Sequence, residues 1–393
     1  MMGGVRVLCA LVLAVCATLP RAAMAQPQPS TDDEPATRAE LLRREREKKQ
    51  EHLSPNEPDR LQRVLDYVET RGIYLVSRSG FYPKIGSLTT GSGLALGLGF
   101  RNRTLLDRRG VVEVWGAGSF RKYWALQGRV ALPELADGRV AVEAIADLRE
   151  YPRESFFGLG PESARSDLTR FSLRSRELAA LGGVRLAPAL MVGGGIGSFV
   201  PESGGEQLDY VRSRAFVDVD YREPLNARRG GWYRVDLSRF ADRHGGARSF
   251  TRVDVDLRQY VGFLADRRVI ALRGFLSTSE PAGGSTGIPF YLMPALGGND
   301  TLRGFRDYRF RGPHALLLQA EYRWEIWSGL DAALFYDAGK VALRRSDLDF
   351  RRLEDDVGFG FRFNTSRGVI MRVDAAFGSR DGKHLHIVFG GVF

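Results

Sequence analysis

From about residue 80 to the C-terminus, apolar and polar positions alternate with a period of two. In 213–221, Ala215, Val217, Val219 and Tyr221 share one face, and Arg214, Asp218 and Asp220 share the other. In 250–260, Thr251, Val253, Val255 and Leu257 oppose Arg252, Asp254, Asp256 and Arg258. In 368–377, Val369, Met371, Val373, Ala375 and Phe377 oppose Arg372 and Asp374. Segments 232–240, 315–324 and 356–363 repeat the scheme. Such alternation predicts strands with one apolar face and one face carrying charges of both signs. No run of about 18 apolar residues follows the first 25 positions, which excludes helical membrane spans.

A soluble sandwich turns its apolar faces inward and needs only short strands. A membrane barrel turns them to lipid and needs strands of about 9–11 residues, with short turns at one end and longer loops at the other. This chain has tight connections at 226–230 and 366–368 and long ones at 151–166, 201–209, 280–314 and 340–355. A hydrated lumen can hold Arg and Asp together where a soluble core could not. The fold class expected is therefore all-β membrane protein: a 16-stranded antiparallel transmembrane β-barrel over residues 80–393, with a short helical N-terminal segment. The even strand number follows bacterial single-chain barrels.

Ahead of the barrel, residues 1–25 read as a signal peptide. Arg6 supplies the positive start, residues 7–19 the apolar core, and Ala23-Met24-Ala25 the cleavage site. Cleavage would remove Cys9 and Cys16 and leave a mature chain without cysteine, excluding thiolate catalysis and disulfides. Residues 26–79 are expected to form a periplasmic linker with two short helices. Thr37-Arg-Ala-Glu40 and Ser54-Pro-Asn-Glu57 are capping boxes, and Leu61, Val64, Leu65 and Val68 form one apolar stripe of the second helix. That helix, 54–72, either packs on the barrel, enters or covers its pore, or meets an unidentified periplasmic partner.

The formal charge is +10, or +8 once Arg6 and Arg21 leave with the signal. The arginines interleave with acids on the charged strand faces instead of clustering, so nucleic acid is not an expected partner. Glycine, 46 of 393 residues, exceeds the usual ~7% and follows no collagen-like period, which suits closely packed strands. No catalytic constellation emerges, and the expectation is not an enzyme. His384 and His386 share a face of the last strand without a further His or Cys nearby, no Gly-x-Ser-x-Gly elbow occurs, and Gly193-Gly-Gly-Ile-Gly197 lacks dinucleotide-site spacing. No metal or cofactor is expected.

One connection stands apart. Loop 295–314 is long, rich in Gly and Arg, and carries Leu302, Phe305, Tyr308 and Phe310, so it is expected to fold against something instead of being disordered. Its core, Leu296-Gly-Gly-Asn-Asp-Thr-Leu-Arg-Gly-Phe305, resembles the Arg-Gly-Phe loop of the BamA/TamA-like outer-membrane superfamily, also called bacterial surface antigen barrels. Leu334-Phe-Tyr-Asp-Ala-Gly339 resembles that family's Asp-x-Gly strand motif, and Phe156-Phe-Gly-Leu-Gly160 a third, earlier motif. The resemblance implies that the loop folds into the lumen and that Arg303 contacts Asp337, with Gly304, Phe305 and Gly339 completing the lock. Parity agrees: Asp331, Ala333, Phe335 and Asp337 share the inward face, and Leu330, Leu334 and Tyr336 the lipid face. The terminal strand points Leu385, Ile387, Phe389 and Phe393 one way, and its final Phe393 is the expected signal to the barrel-assembly machinery. The resemblance further implies a cell outer membrane location in a Gram-negative-type bacterium, surrounded by outer-membrane lipid. The implied function is insertion or translocation of proteins or lipids, with a passive channel or structural barrel as the alternative and an outer-membrane hydrolase as a remote third. Members that insert or secrete proteins usually carry POTRA modules before the barrel, and the linker here offers only two short helices. The chain therefore resembles members without POTRA domains.

Overall fold

The computed structural model describes residues 79–105, 110–223, 227–283, 287–327, 329–365 and 368–389. The expected signal peptide, the two N-terminal helices and Phe393 lie outside these residues.

Sixteen strands form the wall. They are β1 (Gly80–Gly86), β2 (Ala95–Leu105), β3 (Gly110–Ser119), β4 (Trp124–Leu135), β5 (Val140–Phe156), β6 (Thr169–Ala187), β7 (Leu190–Ser203) and β8 (Tyr210–Asp220). The second half comprises β9 (Gly230–Asp242), β10 (Phe250–Phe263), β11 (Arg268–Pro281), β12 (His314–Trp327), β13 (Leu330–Ala342), β14 (Glu354–Thr365), β15 (Gly368–Gly378) and β16 (Gly382–Phe389). Each pairs antiparallel with the next. At the seam, a Cβ on Gly86 would lie 3.9 Å from the Phe389 carbonyl oxygen, so the first and last strands meet and the sheet is a nearly closed barrel.

The alternation sets which way each side chain points. Leu96, Leu98 and Phe100 on β2, Leu178 and Leu186 on β6, Leu334 and Tyr336 on β13, and Leu385, Ile387 and Phe389 on β16 are exposed on the outer face. Leu330 shares their parity but not their exposure. It is the first residue of β13, paired between Trp327 and Phe363, and it is buried. The inner face carries ion pairs, across neighbouring strands in Arg101–Glu113, Arg214–Asp236 and Arg234–Asp218, and over β7 in Arg212–Glu177. The glycine run of β7 serves packing: a Cβ at Gly193 would lie 2.3 Å from the Gly182 carbonyl oxygen on β6.

Connections at one end of the barrel are short, as at 136–139, 188–189 and 264–267; those at the other end include 157–168, 282–313 and 343–353. The wall is also uneven in height. β5 and β6 run for 17 and 19 residues, against 7 for β1 and 10 for β3.

Candidate functional site: the loop lock in the lumen

Loop 295–314 begins and ends in a short ladder of its own, Ala295–Leu296 against Phe310–Arg311. Gly297 and Gly298 follow with φ of 116° and 97°, a region open mainly to glycine, and turn the chain sharply. The turn is held by the Gly298 amide, which donates to the carbonyls of Leu302 and Phe305 at 3.1 and 3.2 Å. This fold brings Leu296, Leu302, Phe305 and Phe310 onto Ala315 and Leu317 of β12 and Val341 of β13. The seven make an apolar core inside the barrel. The Phe305 and Phe310 rings meet at 5.3 Å, and neither ring is left open to solvent. Burying an aromatic ring of this kind stabilises by about 1.5–3 kcal/mol, so the loop carries its own reason to fold.

That core aims Arg303 at the wall. Its Nε and Nη2 donate to the two carboxylate oxygens of Asp337 at 2.7 and 2.8 Å, a bidentate pair. Its Nη1 donates to Glu321 at 3.0 Å, and Asp374 lies 3.7 Å away. The guanidinium also sits over the Phe335 ring, 3.5 Å from the centroid. Glu321 in turn accepts from Arg362 at 2.9 and 2.7 Å and from Arg323 at 2.7 Å, and Arg362 donates to Asp374. Gln319 bridges Asp337 and the Thr301 carbonyl. Arg303, Asp337, Glu321, Arg362 and Asp374 are all wholly buried. Burial by itself disfavours the Arg303 cation, but Asp337, and after it Glu321 and Asp374, outweigh that and hold its pKa above the ordinary value.

Two backbone contacts complete the lock. Gly304 lies directly on the wall: a Cβ there would stand 2.4 Å from the Asp356 Cβ and 2.6 Å from the Gly378 nitrogen. A Cβ on Gly378 would in turn stand 2.0 Å from the Gly304 carbonyl oxygen. Gly339, beside Asp337 on β13, leaves room for Leu296. His386 on β16, opposite Asp374 in register, hydrogen-bonds the Arg303 carbonyl at 2.7 Å through Nε2, which must be the donor. The third motif joins the same assembly. Phe157 is buried with Arg309 over its ring at 5.1 Å, and the Gly160 amide donates to the Arg311 carbonyl at 2.8 Å.

The geometry brings Arg303, Gly304, Phe305, Asp337 and Gly339 together as a lock; Phe393 lies outside the described residues. Sequence reasoning missed Glu321, Arg362, Gly378 and the His386 contact. Parity alone places Glu321 and Arg362 inward, but only the barrel's curvature shows that they converge on Arg303. Among the described residues no cluster of His, Cys, Asp and Glu is arranged to hold a metal ion.

Comparison with known proteins points the same way. The Omp85 superfamily domain matches residues 222–390, the part of the chain that carries the loop and its partners. No curated protein sequence matches the chain. Among solved structures, BamA from Haemophilus ducreyi lacking POTRA domains 1–3 superposes with a TM-score of 0.61 at 14% identity, over 79% of this chain and 70% of that one. CdiB from Escherichia coli gives 0.56 at 14% identity, over 79% of this chain and 62% of that one. CdiB from Acinetobacter baumannii gives 0.51 at 13% identity, over 79% and 59%. The chain thus spans less than two thirds of either CdiB. At these identities the structural likeness speaks for the barrel fold; residues 222–390, which carry the loop lock, match the Omp85 superfamily domain, and in that part the chain is similar to the BamA/TamA-like group its Arg-Gly-Phe loop resembles.

Proposed function

We propose that this barrel acts in the cell outer membrane in the insertion or translocation of proteins or lipids, with loop 295–314 as a lumen plug that the Arg303–Asp337 pair holds in place. One observation carries the reading. The loop occupies the lumen through a wholly buried charge network, so the resting barrel is not an open pore there. A loop that only covered a mouth would not bury an arginine against three strands of the wall, as Arg303 is buried against the acids of β12, β13 and β15. The reading is non-enzymatic and needs no cofactor; its partners are outer-membrane lipid and the barrel-assembly machinery that inserts the chain. An unidentified periplasmic partner at 54–72 belongs to it as well, to be sought by crosslinking from that segment in cells.

A second reading, a passive channel, is favoured by the lumen beside β4 and β5, where Arg129 and Glu143 stay 38% and 28% exposed. Conductance in planar lipid bilayers separates the two. A plugged barrel gives a mostly closed, flickering trace that becomes a large steady pore in Arg303→Ala. A steady pore already present in the unsubstituted protein, and unaltered by Arg303→Ala, would rule out the plug and leave the channel.

A further inference from the structure

At the long-loop end a cavity of about 330 Å³ opens beside the plug, lined by Arg121, Tyr123, Arg153, Arg170, Asp307 and Tyr308 among others. We propose that it binds the phosphorylated sugar headgroup of an anionic glycolipid in the surrounding outer leaflet. The proposal rests on the outer-membrane placement argued above and adds a ligand site that the plug itself does not require.

Three observations carry it. The first is charge left without a partner. Many arginines of this wall are bridged to acids; Arg174, on the same strand as Arg170, stands 3.5 Å from Glu150 and 3.6 Å from Glu202. Arg153 and Arg170 have no ion pair and no side-chain hydrogen bond among the described residues, and Arg121 reaches only the Gly91 carbonyl, at 2.7 Å. Among the lining residues three guanidinium groups therefore face one carboxylate, Asp307, with the buried Glu154 behind it near Tyr123 and Tyr308. Burial pushes the Asp307 carboxyl above its ordinary range. Guanidinium forks match phosphate oxygens bidentately, and the hydroxyls of Tyr123 and Tyr308 at the lining offer polar contacts for a sugar.

The second observation is a step in the wall. The β4–β5 ladder ends at Trp124 opposite Glu150, so β5 stands above its neighbour from Tyr151 onward. The Tyr123 hydroxyl donates to the Arg153 carbonyl at 2.7 Å and fixes this free edge as one side of the cavity. The third is the level of the membrane. Phe120, at the tip of the β3–β4 turn, is 85% exposed, and Trp124 is exposed on the outer face just below it. Aromatic side chains in this position mark the lipid–water interface of a barrel. The headgroup layer then lies at the cavity mouth, while the acyl chains run down the apolar outer face of β3 and β4.

The test uses the barrel folded in dodecyl maltoside micelles, its fold verified by heat-modifiable electrophoretic mobility, with lipid binding read by native mass spectrometry. Bisphosphoryl lipid A is expected to bind about tenfold or more tightly than dephosphorylated lipid A carrying the same acyl chains. R153A/R170A is expected to abolish that preference, and R139A/R185A, an equal loss of charge at the opposite rim, to leave it intact. If R153A/R170A does not fold, R153Q/R170Q keeps the side-chain stems and reads the same loss. A preference retained in either double variant, or no preference at the start, overturns the site. Glucosamine 1-phosphate displacing lipid A at equal concentration overturns the lipid assignment and makes the ligand a soluble sugar phosphate. Micelle binding needs no translocation, so a negative result here leaves the plug to its own conductance test.

Discussion

Across β4 and β5, Arg129 meets Glu143 at 2.6 Å with 38% and 28% of the two side chains exposed; against β13, Arg303 meets Asp337 at 2.7 Å with neither exposed. The pairs are the same chemistry at nearly the same distance, in two regions of one lumen. What differs is water. In the first region both side chains meet water, and an exposed pair of that kind is worth about 0–1 kcal/mol. The second is closed off by the loop's own apolar core, and there each charge depends on every other, because no solvent can replace a lost partner. Distance alone would rank the two alike; burial separates them by several fold. The dry region falls within residues 222–390, the part matched by the superfamily domain.

The contrast can be broken most forcefully at Arg303. Arg303→Ala strands Asp337, Glu321 and Asp374 in a dry site and is expected to cost about 3–5 kcal/mol, seen as a lowered urea midpoint for heat-modifiable mobility and new protease cleavage within loop 295–314. Unchanged behaviour in both assays would sink the dry-lock account. Gly304→Ala keeps every charge but places a methyl against Asp356 and the Gly378 backbone. A loss of about 1–3 kcal/mol in the same urea midpoint is expected, with protease cleavage of the loop again rising. Arg303→Lys retains the charge and loses the fork, and should fall below Arg303→Ala, at about 1.5–3 kcal/mol by the same titration. Arg129→Ala, in the wet region, should move the midpoint by less than about 1 kcal/mol. A large effect there, or a small one at Arg303, would erase the distinction between the regions.

Much of this was legible in the residues. Period-two alternation is a local property, so strand faces could be assigned from sequence, and Asp337 on the inward face with Arg303 on a Gly-rich loop followed from it. Leu330 shows the limit of parity: it has the outward position but sits at a turn, flanked by Trp327 and Phe363. Glu321, Asp374 and Arg362 show a deeper limit. Alternation turns each inward, yet nothing local says that β12, β14 and β15 bring them to one point. Convergence belongs to the curvature of a closed sheet. Gly378 is similar, because its need to be glycine arises from a backbone 74 positions away in sequence, that of Gly304, and not from its own strand.

The order of the chain gives the lock a further property. Every acid that grips Arg303 comes later in the sequence, Glu321 by 18 residues and Asp337 by 34, and His386, which holds its carbonyl, by 83. Contacts so distant form only after the intervening chain has been brought into place. The loop can therefore seat fully only when the last strand has arrived, and a barrel short of β16 would lack one of its holds. The same set of bonds that keeps the finished lumen filled thus reports that assembly of the wall is complete.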